Sequence, residues 1–275
     1  MSAPGPLPRK AVILARGLGT RMRARDDGAL LAPEQSAVAD QGLKAMIPVG
    51  RPFLDYLLGA LAGAGFSDVC LVVAPEHDAI RERYTGEVVP SRVRIDFAVQ
   101  ERPSGTAGAV LAAESFAGAE PFLVLNGDNY YPVEVLAALR RVSPPAIAGF
   151  SRAGLLRDGQ IPPERIARYA LLDVGSDGTL RRIVEKPDAS AEQALRSAPV
   201  SMNCSLLTPA IFDACRRVAP SPRGELELPL AIQYAIDNMG MRVRVVPVDA
   251  PVLDLSHRAD IPAVASRLAH LKVNL

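Results

Sequence analysis

Short, almost wholly apolar runs recur through the first 150 residues of this chain, at "AVILA", "DVCLVVA", "VRIDFAV", "PFLVL" and "AIAGF". Most are separated by stretches of helical periodicity. Leu54, Leu57, Leu58 and Leu61 fall on one helix face behind Pro52, a residue suited to a first helical turn. Residues 105–117 and 132–142 also read as helices. Strands that are apolar on both faces and alternate with helices predict one fold class. It is an α/β, Rossmann-like, doubly wound fold with a mainly parallel (mixed) sheet and helices on both faces.

The second half is less regular. "YALLDV" and "TLRRIVEK" flank "GSDG", a hairpin signal. "SMNCSLLT" and "MRVRVVPV" read as strands, and 209–218, 227–239 and 258–272 as helices. No composition break or repeat divides the chain, so residues 1–275 are expected to form a single domain, with halves at about 10–150 and 151–262. Residues 26–43 exceed the usual length of a βα connection. They suggest a lid, mobile alone and ordered by ligand, or else a disordered surface excursion.

Composition excludes several classes. A net charge of +1 argues against a general nucleic-acid binder. No run approaches the roughly 20 apolar residues of a membrane span, and no leader precedes the first charge. Cys70, Cys204 and Cys215 lack metal-like spacing and read as buried thiols. A soluble, cytoplasmic protein is expected, with homo-oligomerisation left open.

Against that balanced charge, the run "ARGLGTRMRAR" concentrates Arg16, Arg21, Arg23 and Arg25 around Gly17 and Gly19, directly after the first apolar run. A glycine turn after a strand is where doubly wound folds hold phosphates, because bare backbone N–H groups can approach oxygen. The dinucleotide fingerprint needs a third glycine where Met22 stands, and the Gly-Lys-Ser/Thr of a P-loop is absent. Taken alone, Gly17-x-Gly19 is equally a plain tight turn. Asp128, just past the apolar run of "VLNGDN", and Asp254, after a second apolar stretch, are carboxylates suited to Mg²⁺ beside phosphate oxygens. Either one alone equally serves as a turn or cap residue.

"Gly19-Thr20-Arg21" followed by Lys44 in "LKAMIPVGRPF" resembles the sugar-1-phosphate nucleotidyltransferases, in pattern the short uridylyl- and thymidylyltransferase-like members. The segments "QERPSGTAGAV" (100–110), "VLNGDN" (124–129), "VEKPD" (184–188), "MNCSLLTPAIF" (202–212), "GELEL" (224–228) and "VLDLSHRADI" (252–261) follow in that family's order. The resemblance implies transfer of a nucleotidyl group from an NTP, UTP or dTTP favoured, to a sugar-1-phosphate, with Mg²⁺ on Asp128 and Asp254. Arg21 and Lys44 would neutralise the triphosphate, and Lys186 the sugar phosphate. Leu14, Ala15, Gly17, Gly19, Thr20, Gln100, Gly105, Thr106 and Gly127 would bind the nucleotide. Gln100 would read the base with its amide as donor and acceptor. Ala170, Glu185, Asn203 and Glu225 would line the sugar. NTP and sugar-1-phosphate are thus the expected partners, with no nucleic acid and no membrane.

The chain departs from the pattern at Arg16, normally a small residue, at Ala170 and Cys204-Ser205, and at Ser256-His257. His257 reads as structural or sugar-contacting, not as a base. Arg23 and Arg25 read as solvated charges. The chain ends soon after the last motif, so no appended domain is expected. Two other readings remain: a noncatalytic nucleotide-sugar-binding or regulatory subunit on this fold, or a nucleotidyltransferase for a non-sugar phosphate.

Overall fold

A computed structural model of the chain describes residues 6–26, 28–157 and 160–275. The strands are β1 Lys10–Leu14, β2 Asp68–Val73, β3 Arg94–Val99, β4 Phe122–Asn126, β5 Asn129–Tyr130 and β6 Ala146–Phe150, then β7 Leu171–Val174, β8 Leu180–Val184, β9 Val200–Leu207, β10 Arg244–Val248 and β11 Leu253–Asp254. The main sheet runs β10-β6-β9-β4-β1-β2-β3, with β7 on β9 and β8 on β7. All neighbours along the main path are parallel except β9, which runs antiparallel to β4 and β6.

The apolar runs are continuous because both sheet faces are covered. Side chains alternate across a strand. On β1 and β4, Ala11, Ile13, Leu123 and Leu125 therefore enter one core, while Val12 and Val124 enter the other. Cys70, Cys204 and Cys215 are buried free thiols, and burial pushes Cys70 and Cys215 up to about 12. No helix among the described residues is long and apolar enough to cross a membrane.

β1 is the point where the topology turns. β2 and β3 add on one side of it and β4 on the other. The loops that leave β1 and β4 diverge, and such a switch point opens a crevice at the carboxyl ends of the strands. Leu14 and Asn126 sit side by side there, and Gly127 donates its N–H to the Leu14 carbonyl at 3.0 Å.

Part of residues 26–43 is regular structure and not a disordered excursion. Pro33–Gln41 form a helix that buries Ala39 in a third core with Met22, Ile47, Phe53, Leu253 and Leu255. Gln35 Nε2 donates to the Pro48 carbonyl at 2.8 Å, and Arg258 holds both Asp40 and the Ala24 carbonyl. This half of the insertion packs against the fold, whereas Leu30 ahead of it is exposed. Asp27 lies outside the described residues. Other boundaries shift modestly: residues 105–117 divide into the helices Thr106–Ala112 and Glu114–Ala117, and the last helix covers Asp260–Leu268.

Candidate active site

The crevice at the ends of β1 and β4 holds a cavity of about 430 Å³. Leu14, Ala15, Gly17, Gly19, Thr20, Arg21, Lys44, Gln100, Gly105, Thr106, Gly127, Asp128 and Glu225 all line it. Arg16 and Arg223 line it as well.

The glycine turn is built by close approach. Gly19 has φ +63°, and a Cβ there would lie 2.2 Å from the Gly42 carbonyl oxygen. The bare Cα of Gly19 thus packs on the Gly42 backbone and ties the turn after β1 to the residues that lead into Lys44. This contact brings Arg21 and Lys44 to one cavity although 23 positions separate them. Gly19→Ala is expected to destabilise the fold by about 2 kcal/mol, from strained backbone and the clash together. Chemical denaturation checks this, and an unchanged midpoint would show that the turn can open at no cost.

The helix after the turn, Thr20–Arg23, is a single turn. A long helix dipole therefore does not aid anion binding here, and the cations carry that role. Arg21 is exposed and has no protein acceptor among the described residues. Arg23 is exposed, as a solvated charge would be, and its Nε and Nη2 donate to the Gln41 carbonyl at 3.2 and 2.8 Å, closing the end of the helix Pro33–Gln41.

The two carboxylates meet through a short antiparallel pair. β5 and β11 place Asp254 opposite Asn129, and Leu255 N donates to the Asp128 carbonyl at 2.8 Å. Asp128 Oδ2 accepts from Lys44 Nζ at 2.9 Å, and its other oxygen accepts no hydrogen bond from the described residues. Asp254 is buried. Ser256 Oγ donates to its Oδ1 at 2.6 Å, while Tyr169 Oη and Arg165 Nη1 donate to Oδ2 at 2.6 and 3.2 Å. Gln160 brackets its backbone from both sides. Burial pushes the Asp254 carboxyl above its ordinary range, and the Asp128 charge adds to this. The bonds from Ser256, Tyr169 and Arg165 pull the other way.

This donor set suits a hard divalent ion. Asp128 keeps one oxygen free and Asp254 keeps a lone pair on Oδ1. No group of three or more His, Cys, Asp or Glu that could hold a metal stands together among the described residues. A cation on these two carboxylates would take its other ligands from water and phosphate, as Mg²⁺ commonly does.

The remaining candidates lie beyond the cavity wall, in the second half of the chain. Lys186 (φ +44°) and Asn203 (φ +55°) are the non-glycine residues with positive φ among those described. Such backbone is uncommon and often marks a site. Asn203 projects exposed from β9 between buried Met202 and Cys204, beside a register shift against β6. Ala170 is buried at the start of β7. Glu185 is exposed, yet the protein packed around it and the Glu227 charge push its carboxyl up, while Arg223 and Lys186 oppose them. Arg223 Nη2 donates to Glu227 at 2.9 Å. Arg223 therefore joins the cavity to the Glu185–Lys186 region. Asp260 anchors His257: the His257 backbone N–H donates to Asp260 Oδ2 at 2.7 Å, and its Nδ1 lies 3.6 Å from the same oxygen.

Arg165, Tyr169, Gln160 and Arg223 escape sequence reading. Arg165 sits 89 positions from Asp254, and no spacing rule links them. Tyr169 carries a signal, the Tyr before Ala170, although that signal points to the sugar and not to the carboxylate.

A family model described as nucleotidyl transferase matches residues 10–251. The chain is 29% identical over 261 residues to a glucose-1-phosphate thymidylyltransferase of Streptomyces antibioticus, a match covering 92% of this chain and 64% of that protein. It is 26% identical over 260 residues to the UTP–glucose-1-phosphate uridylyltransferase AglF of Haloferax volcanii, covering 94% and 96%. The chain thus spans less than two thirds of the first of these relatives. Among solved structures, a UTP-bound UGPase of Acinetobacter baumannii superposes with a TM-score of 0.74 at 19% identity, over 98% of this chain and 96% of that one. That likeness shows the shared fold.

Proposed function

The chain belongs to the nucleotidyl transferase family, and from that premise we propose that it transfers a nucleotidyl group from UTP or dTTP to a sugar-1-phosphate. A phosphate oxygen of the sugar-1-phosphate attacks the α-phosphorus. The bond from that phosphorus to the bridging oxygen breaks, and pyrophosphate leaves with the electron pair. The attacking oxygen is already anionic, so no general base is required. Positioning and charge neutralisation carry the reaction.

One observation supports this most: the exposed, unpaired Arg21 and the Lys44–Asp128 pair face one cavity beside a bare glycine turn. Arg21 and Lys44 grip the triphosphate and the leaving pyrophosphate. Mg²⁺ held by Asp128 and Asp254 would neutralise charge on the transferring phosphate. Lys186 binds the phosphate of the sugar-1-phosphate, and Glu185, Glu225, Asn203 and the backbone at Ala170 line the sugar. Leu14, Ala15, Gln100, Gly105, Thr106 and Gly127 enclose the nucleoside.

A pyrophosphate-release screen of NTPs against sugar-1-phosphates with Mg²⁺ tests the reading. Release only with sugar-1-phosphate present is expected, and no release from any pair overturns it. UTP or dTTP is expected to exceed GTP and ATP in kcat/KM by roughly a hundredfold, since a site that pairs base polar groups rejects bases that leave them unpaired. Comparable kcat/KM for GTP removes the base preference.

A further inference from the structure

Arg16 occupies a place where a small residue is the pattern, and it is buried to 7% exposure on the cavity wall. Its Nε donates to the Gln100 carbonyl at 3.4 Å. Its Nη1 is shielded from solvent and has no partner among the described residues. An orphaned donor on a buried cation is costly, and folded proteins rarely keep one without a use.

Gln100, to which Arg16 is tied, has spent its own donors. Nε2 donates to Ser104 Oγ at 3.2 Å and to the Gly105 carbonyl at 3.0 Å. Gly108 leaves room for this knot: a Cβ there would lie 2.0 Å from Ser104 Oγ. The amide therefore offers the cavity only Oε1, an acceptor. In this arrangement Gln100 supplies the acceptor expected of it on the base, and its donors face the chain. The missing donor stands beside it as Arg16 Nη1.

The position of Arg16 favours the base over the phosphates. Gln100 follows β3 and hydrogen-bonds the end of β2, whereas Lys44 and Asp128 gather at the end of β4, across β1. No carboxylate pairs with Arg16, and the neighbouring His77 is held neutral by burial, with the Arg16 charge pushing the same way.

We propose that Arg16 is a base-reading residue. A turn of the guanidinium on nucleotide binding brings Nη1–H, shielded in the chain alone, to a ring carbonyl oxygen of the nucleobase, while Gln100 Oε1 accepts the adjacent ring N–H. Uracil and thymine present that pair of groups. The inference rests on the nucleotidyl-transfer reading above.

Calorimetric titration of the intact chain with Mg²⁺ and no sugar phosphate tests it. Arg16→Ala, Arg16→Gly and Arg16→Lys are each titrated with UTP, ATP, inorganic pyrophosphate, and the 2-thio and 4-thio analogues of UTP. Loss of a hydrogen bond to a charged donor predicts roughly ten- to hundredfold weaker UTP binding in Arg16→Ala, with pyrophosphate unchanged. One thio analogue should bind wild type more weakly than UTP but match UTP in Arg16→Ala, because the variant no longer has the donor that notices the change. Equal loss for UTP, ATP and pyrophosphate would make Arg16 a phosphate ligand and overturn the proposal. So would unchanged UTP binding. If Arg16→Ala fails to fold, Arg16→Lys carries the test, since it keeps the charge but shifts the donor. Wild type that binds no nucleotide overturns the nucleotidyl-transfer reading itself, a result distinct from either.

Discussion

Asp128→Asn is expected to lower turnover by about a thousandfold or more while leaving the fold nearly as stable as wild type. The expectation follows from what the side chain does and does not support. Its backbone carbonyl, not its carboxylate, accepts from Leu255 and secures the short β5–β11 pair, so the amide keeps that geometry. Its carboxylate pairs only with Lys44, and both groups are partly exposed, at 25% and 19%. Such a pair contributes at most about 1 kcal/mol to stability. At the reacting centre the charge matters far more. A carboxylate that holds a divalent ion on a transferring phosphate contributes several kcal/mol to the transition state, and each 1.36 kcal/mol is about tenfold in rate. Steady-state turnover at saturating Mg²⁺, paired with a melting curve, checks both halves. Near-wild-type turnover would remove Asp128 from the metal site. A collapsed melting temperature would instead show the carboxylate to be structural.

How much of this was legible in the sequence depends on how locally each feature is encoded. Strands β1, β2, β4 and β6 were readable because burial on both faces writes an uninterrupted apolar run. The helix Pro33–Gln41 was not, because it buries little more than Ala39 and Val38 and so shows no wide apolar stripe. Punctuation was nevertheless present: Pro33 at the first helical turn and Gly42 at φ +73° just past the last. The pairing of β5 with β11 involves two residues a side, too few for any period to register. The glycine turn and Asp128 stood out as candidates because each directly follows an apolar strand run, whereas Lys44 and Gln100 rest on the family resemblance. The groups that support Asp254 were not, since their meeting is a product of tertiary packing alone.

That packing makes Arg165→Met a severe substitution. Arg165 is the one cation shared by two buried carboxylates. Its Nη1 donates to Asp254 at 3.2 Å and to Asp260 at 3.0 Å, and Nη2 donates to Asp260 at 2.6 Å. Asp260 is itself committed: it accepts from the backbone N–H groups of Ser256 and His257 and so shapes the turn after β11. Methionine fills similar space but leaves two desolvated negative charges facing each other. Removing one partner of a buried ion pair costs about 3–5 kcal/mol. The deficit should depend on pH with a definite sign. Asp254 already titrates above its ordinary range, chiefly from burial, and Arg165 is among the groups that pull it down. Without Arg165 the folded-state value rises further above that of the unfolded chain. The native state then binds the proton more readily than the unfolded one, so the variant's stability falls as pH climbs through the raised folded-state value. Relative to wild type, the loss should be full at neutral pH and shrink on acidification toward the unfolded carboxylate range. Urea denaturation of wild type and Arg165→Met across that range tests this. A deficit that stays constant with pH would mean that Arg165 contributes packing alone. A deficit under about 1 kcal/mol at neutral pH would mean that water and the Tyr169 and Ser256 hydroxyls, which already donate to Asp254, solvate its charge without Arg165.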